Sequence, residues 1–138
     1  MSSSDRAPTD LAGARSAGQR RALGDFGERL AVQHLETKGY EIVERNYRRR
    51  EGEIDIIARL GNIVSFVEVR CRRGSLMGTA VESLSPSKQR RLVSLAQAYA
   101  QEHEGRLEQC RIDVIAVDLA LDGTLLSLSH VEGAVWDE

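Results

Sequence analysis

The chain has 138 residues, 29% of them charged, and a formal net charge of −2, so it can form one domain with its own core, and its overall charge excludes a general polyanion binder. Its two cysteines, Cys71 and Cys110, lack CxxC spacing, and no apolar N-terminal segment of signal-peptide type is present. These features predict a reduced, cytoplasmic protein. No apolar run approaches the roughly 18 residues of a membrane span.

Residues 1–18, rich in Ser, Ala, Gly and Asp without an apolar period, read as a disordered leader, which leaves 19–138 as a single domain. From Arg20 to Lys38, Leu23, Phe26, Leu30 and Leu35 recur at helical spacing, and Gly39 stands where a C-cap belongs. Tyr40 to Arg48 alternates loosely and predicts a strand. Glu53–Arg59 and Ile63–Cys71, rich in Ile and Val, predict two buried strands. Arg72 to Ser83 carries Gly74 and Gly78 and little period, the pattern of a long loop.

Ser85-Pro86 supplies an N-cap followed by proline at N1, and Leu92, Leu95, Ala96 and Tyr99 form one apolar face of a second helix ending near Glu104. Arg111 to Leu119 is another apolar strand, and Asp122-Gly123 turns the chain into Thr124–Val131. The order α-β-β-β-α-β-β predicts an α/β domain, a mixed β-sheet flanked by helices.

Charge is distributed unevenly along this order. Glu44 to Arg91 carries 11 basic and 6 acidic residues, whereas the chain from Leu92 onward carries 2 basic and 9 acidic ones. The basic residues cluster as Arg48-Arg49-Arg50, Arg70-Arg72-Arg73 and Lys88-Arg90-Arg91. Clusters of this kind can contact phosphates, with Arg48, Arg72, Lys88 and Arg91 as the candidates, although each could equally be a solvated face.

Chemistry is concentrated around Gly61-Asn62, a dipeptide that favours a two-residue hairpin turn. With those residues as the loop, Leu60 pairs with Ile63. Counting outward then sets Asp55 opposite Glu68 and Glu53 opposite Arg70, all on one face. Carboxylates so placed have Cβ atoms about 5 Å apart and repel each other. A divalent cation such as Mg²⁺ would neutralise them, and it could activate water and offset charge on a phosphoryl group. Arg70 could orient the water or stabilise the developing charge. Alternatively, the acids pair with Arg59, Arg70 or Arg72 at an exposed sheet end.

Glu28 lies beside the apolar face of the first helix and is a candidate third metal ligand or, alternatively, a solvent-edge acid. Lys88 shares a face with Leu92, Leu95 and Tyr99, so its ammonium can reach inward or remain in water above its stem. His34, His103 and His130 form no metal or nucleophile motif, and no nucleotide cofactor is indicated.

Six ordered segments resemble the YraN family: Gly27-Glu28, Glu44-Arg45-Asn46-Tyr47, Gly52-Glu53-Ile54-Asp55, Phe66 to Arg72, Lys88 to Leu92 and Arg111-Ile112-Asp113. They cover nearly all of the chain from about Arg20. That family resembles a branch of the PD-(D/E)xK nuclease superfamily close to archaeal Holliday junction resolvases. The resemblance implies a restriction-endonuclease-like fold and hydrolysis of DNA phosphodiester bonds with Mg²⁺ or Mn²⁺. It also brings in branched or structured DNA as substrate and a homodimer by analogy.

By position, the resemblance implies Glu28 as the helix acid and Asp55 and Glu68 as the catalytic, metal-binding carboxylates. Arg70 departs from the superfamily, which has lysine there, and arginine is neither titratable nor a point charge. Compositional drift is one account, since the chain holds 17 Arg and 2 Lys. The alternative is a nucleic-acid-binding or adaptor protein that keeps the nuclease fold with weak or no activity.

Overall fold

A computed structural model describes residues 17–74, 79, 81–103 and 109–135. Residues 1–16 of the expected leader lie outside this set. The elements are α1 (Ala17–Thr37), β1 (Glu41–Arg49), β2 (Gly52–Leu60), β3 (Ile63–Arg73), α2 (Pro86–Glu102), β4 (Gln109–Leu119) and β5 (Leu125–Val135). This is the α-β-β-β-α-β-β order of a restriction-endonuclease-like α/β fold, and α1 begins two residues before the domain boundary expected from composition.

The five strands form one sheet in the order β1-β2-β3-β4-β5. β3 and β4 are parallel, with α2 as their crossover, and the other neighbours are antiparallel. Antiparallel neighbours can be joined by tight turns, whereas a parallel pair needs a long connection, and this gives the 74–108 segment its length.

The helices cover opposite faces. Ala31 and Leu35 of α1 pack with Ile56, Ala58, Val67, Ile115 and Val117. On the other side, Leu92, Leu95 and Tyr99 of α2 pack with Tyr47, Ile54, Ile57, Phe66 and Val114. Strand side chains alternate between faces, so strands covered on both sides must be apolar at nearly every position. That accounts for the Ile- and Val-rich runs of β2, β3 and β4. The tyrosine cluster adds shape: the Tyr99 ring stands edge-on to Tyr47 and to Phe66 at centroid distances of 5.4 and 5.5 Å.

Local sequence sets the element ends. At the close of α1 the Gly39 amide donates to the Glu36 carbonyl at 3.0 Å and the Tyr40 amide to the Leu35 carbonyl at 2.9 Å. Gly39 has φ +95°, so this is a complete Schellman cap, with Leu35 and Tyr40 both buried beside it. At the start of α2 the Ser85 hydroxyl accepts from the Lys88 amide at 3.0 Å, and Pro86 occupies the first turn. The Gly61-Asn62 turn pairs Leu60 with Ile63.

β5 continues to Val135, four residues past the alternation that marks it in sequence. Val131 pairs with Val114 and Val135 with Ile112, so residues 132–134 bulge opposite Asp113. The Gly133 amide donates to Asp113 Oδ1 at 2.9 Å, which replaces the missing rung.

Candidate carboxylate site

The β2–β3 ladder holds its register from Leu60↔Ile63 to Ile56↔Val67 and stops there. Asp55 and Glu68 are the next residues on each strand. They are not joined as a ladder pair, although the register leading to them is the one counted from the turn. Instead the Val69 amide donates to Asp55 Oδ2 at 2.8 Å, so a side-chain oxygen takes the place of a strand carbonyl. Glu53 pairs across the other edge of β2 with Arg48, at 3.4 Å.

Where the ladder ends, a cleft of about 390 Å³ opens, lined by Glu28 of α1, Asp55 of β2, and Glu68, Arg70 and Arg72 of β3. The fold thus brings together three acids separated by up to forty positions in the chain. Burial raises the proton affinity of Asp55 and Glu68. Asp55 is pushed up to about 7, first by desolvation and then by the Glu68 charge, against the pull of the Val69 amide. Glu68, with a side chain only 5% exposed, is also pushed up by desolvation, opposed by Lys88 and Arg70. Lys88 Nζ lies 3.5 Å and an Arg70 guanidinium nitrogen 3.8 Å from Glu68 Oε2. The inward reach of Lys88 is therefore realised.

Glu28 is held from β1. Its Oε1 accepts from Arg45 at 3.2 Å and from Asn46 Nδ2 at 3.4 Å. Gly27 lets α1 approach closely at this point: a Cβ there would meet Cys71 Cβ at 3.0 Å and Sγ at 3.2 Å. Among the described residues no group of three His, Cys, Asp or Glu side chains is gathered tightly enough to hold a metal ion.

The basic candidates separate. Arg48 and Arg91 are exposed. Arg72 is engaged inside the fold, its Nε donating to Asp118 Oδ1 at 3.0 Å. Sequence reasoning assigned no role to Arg45, Asn46 or Asp113. All three were visible only as members of family motifs, and nothing in the spacing of Arg45 and Asn46 reveals that they meet a helix residue.

Asp113 is fully buried and accepts from Ser65 Oγ at 2.6 Å, His130 Nε2 at 2.8 Å, Arg111 Nε at 2.9 Å and the Gly133 amide. Burial alone would raise its pKa. The bonds from His130, Arg111, Ser65 and Gly133 outweigh that and hold it well below the usual carboxylate range. A second cleft of about 360 Å³, between α2 and β4–β5, is lined mainly by apolar groups including Val93, Ala96, Ile112 and Val135, with no carboxylate among the described residues.

A "UPF0102 protein" of Roseiflexus castenholzii is 42% identical over 119 residues, which is 86% of this chain and 96% of the relative. Another, of Chlorobium limicola, is 41% identical over 121 residues, 85% of this chain and 94% of the relative. No described helix is long and apolar enough to cross a membrane. The profile of "Uncharacterised protein family UPF0102" matches residues 27–117, from the glycine beside Glu28 into β4, and the chain belongs to that family, the YraN family.

Proposed function

We propose that this protein is a divalent-metal-dependent endonuclease hydrolysing DNA phosphodiester bonds, with branched or structured DNA as the substrate class. The observation that carries the proposal is a pair of acids, the half-buried Asp55 and the buried Glu68, lining one cleft at the point where two strands part. Two desolvated carboxylates with raised proton affinity suit a cation. Mg²⁺ or Mn²⁺ suits this donor set, because such ions need only one or two protein carboxylates and complete their shell with water and phosphate. Asp55 and Glu68 would hold it, with Glu28 as a third acid on the helix side. When bound, the metal would supply Lewis-acid activation of water and offset charge on the phosphoryl group.

The chain's own groups divide the remaining work. The Val69 amide fixes the Asp55 carboxylate. Arg70, beside Glu68 at the cleft, can stabilise negative charge developing on the scissile phosphate. Lys88 places an ammonium on the same carboxylate. The exposed Arg48 and Arg91 can contact flanking phosphates, while Arg72 would first have to leave Asp118. A cytoplasmic homodimer would match the two-fold symmetry of a four-way junction.

The test is cleavage of linear, nicked and four-way-junction DNA with Mg²⁺ or Mn²⁺. Wild type should cut at least one of these substrates and Asp55→Asn none, by a loss of about a hundredfold or more. Equal cleavage by both proteins would rule out this site.

A second reading, a DNA-binding or adaptor protein on the same fold, is favoured by one observation. Glu68 already has two cationic partners, one of them an arginine at the superfamily's lysine position. This reading predicts DNA binding that survives Asp55→Asn, weakens with salt, and is accompanied by no cleavage with either metal.

A further inference from the structure

We propose that Asn46 is a positioning residue for the carboxylate cleft: its left-handed backbone reverses the pleat of β1 and β2 together, turning Asp55 onto the Val69 amide, while its side chain helps anchor Glu28. The significance for catalysis rests on the nuclease reading. The positioning itself does not.

The argument begins with register. Arg45 pairs with Ile56 and Tyr47 with Ile54, so Asn46 stands across from Asp55. Residues two apart on an unbroken strand share a face. Here they do not. Arg45 reaches Glu28 on the α1 side, whereas Tyr47 packs on the α2 side. On β2, Ile56 belongs to the α1-side core and Ile54 to the α2-side core. Both strands therefore change face between the Arg45–Ile56 and Tyr47–Ile54 pairs, at Asn46 and Asp55.

The backbone supplies the cause. Asn46 has φ +55° and is the one non-glycine residue with positive φ among the described residues. Asparagine tolerates this conformation better than most side chains, and β-branched residues tolerate it least. With regular alternation from Ile57, which packs on the α2 side, Asp55 would point beneath α2. The reversal brings it instead to the gap between β2 and β3, where its carboxylate accepts the Val69 amide. Glycine could adopt the same φ, but only asparagine also offers an amide to Glu28, where Nδ2 joins Arg45 on one oxygen.

The test is amide hydrogen exchange on the full chain, comparing the Val69 amide with those of Val64 and Phe66 in the intact part of β3. Asn46→Val should speed Val69 exchange relative to these references by about tenfold, the loss of one hydrogen bond. Asn46→Gly, free to adopt the same φ, should restore it to near wild type. If the valine variant does not fold, Asn46→Ala carries the same expectation with a smaller change. Val69 protection at the wild-type level in the folded valine or alanine variant would overturn the proposal, as would equal loss in the glycine variant. Absence of DNA cleavage by wild type would instead defeat the nuclease reading and leave the exchange pattern unaffected.

Discussion

At Glu68 the competition between partners is most direct. A carboxylate 5% exposed is shared by Lys88 at 3.5 Å and Arg70 at 3.8 Å, and the two cations differ in chemistry. Lysine can approach a ligand as a compact charge and give up a proton, whereas arginine does neither. If wild type cleaves DNA, Arg70→Lys should cleave at least as fast. If wild type is inactive, a gain of metal-dependent cleavage in Arg70→Lys would show that the arginine disabled an otherwise complete site. An unchanged inactive variant would favour the binding reading. Arg45 and Asn46 act one step back, holding Glu28 where it borders the cleft.

Elements reach their positions through close approaches and caps. Gly27 permits α1 to lie against Cys71 of β3, and the helix carries Glu28 in the next position. Gly27→Ala should destabilise the protein by about 1–2 kcal/mol through overpacking, read from urea unfolding midpoints, and should displace Glu28 as α1 shifts. No loss of stability would mean that β3 yields to the added methyl without strain. At α2, Ser85→Ala removes the acceptor for the Lys88 amide and should cost about 1 kcal/mol. Because α2 also delivers Lys88 to Glu68, this loss of capping should loosen the site as well as the helix.

Across the whole molecule, charge and buried polarity are segregated. The Arg48–Arg50 hairpin tip and the C-terminal end of β3 lie at the end of the sheet where the cleft opens, and the first turn of α2 brings Lys88 to Glu68. Arg91→Glu should weaken DNA binding and lower the salt dependence by about one phosphate contact, measured as the slope of binding against salt. An unchanged slope would place Arg91 away from the DNA.

The acidic C-terminal third includes Asp113, which ties β3, β4 and β5 through Ser65, His130 and Gly133. Its folded pKa is depressed, so its stabilising contribution is complete above the ordinary carboxylate value near 4 and is lost as pH falls through the folded value. Asp113→Asn should destabilise the protein at neutral pH by about 3–5 kcal/mol and flatten the acid limb of its stability profile below about pH 4. An unaltered acid limb would move the acid sensitivity to other carboxylates.

The element order, both helix caps, the tight Gly61-Asn62 turn and the apolar faces were legible in the sequence because each depends on neighbours within a few positions. Local periodicity and cap chemistry determine such features without reference to the rest of the chain. The family resemblance also pointed to Glu28, Asp55, Glu68 and Arg70, which the fold gathers around one cleft. Only the tertiary structure decided how they meet. Counting from the turn could not anticipate that the ladder would stop after Ile56↔Val67, because the reversal at Asn46 depends on a backbone angle and on two strands changing face together. Nor could spacing reveal that Arg72 would be drawn to Asp118 and Asp113 buried among four donors. Partners far apart in sequence are chosen by packing and by the need to satisfy buried charge, and those forces act only once the layers have closed.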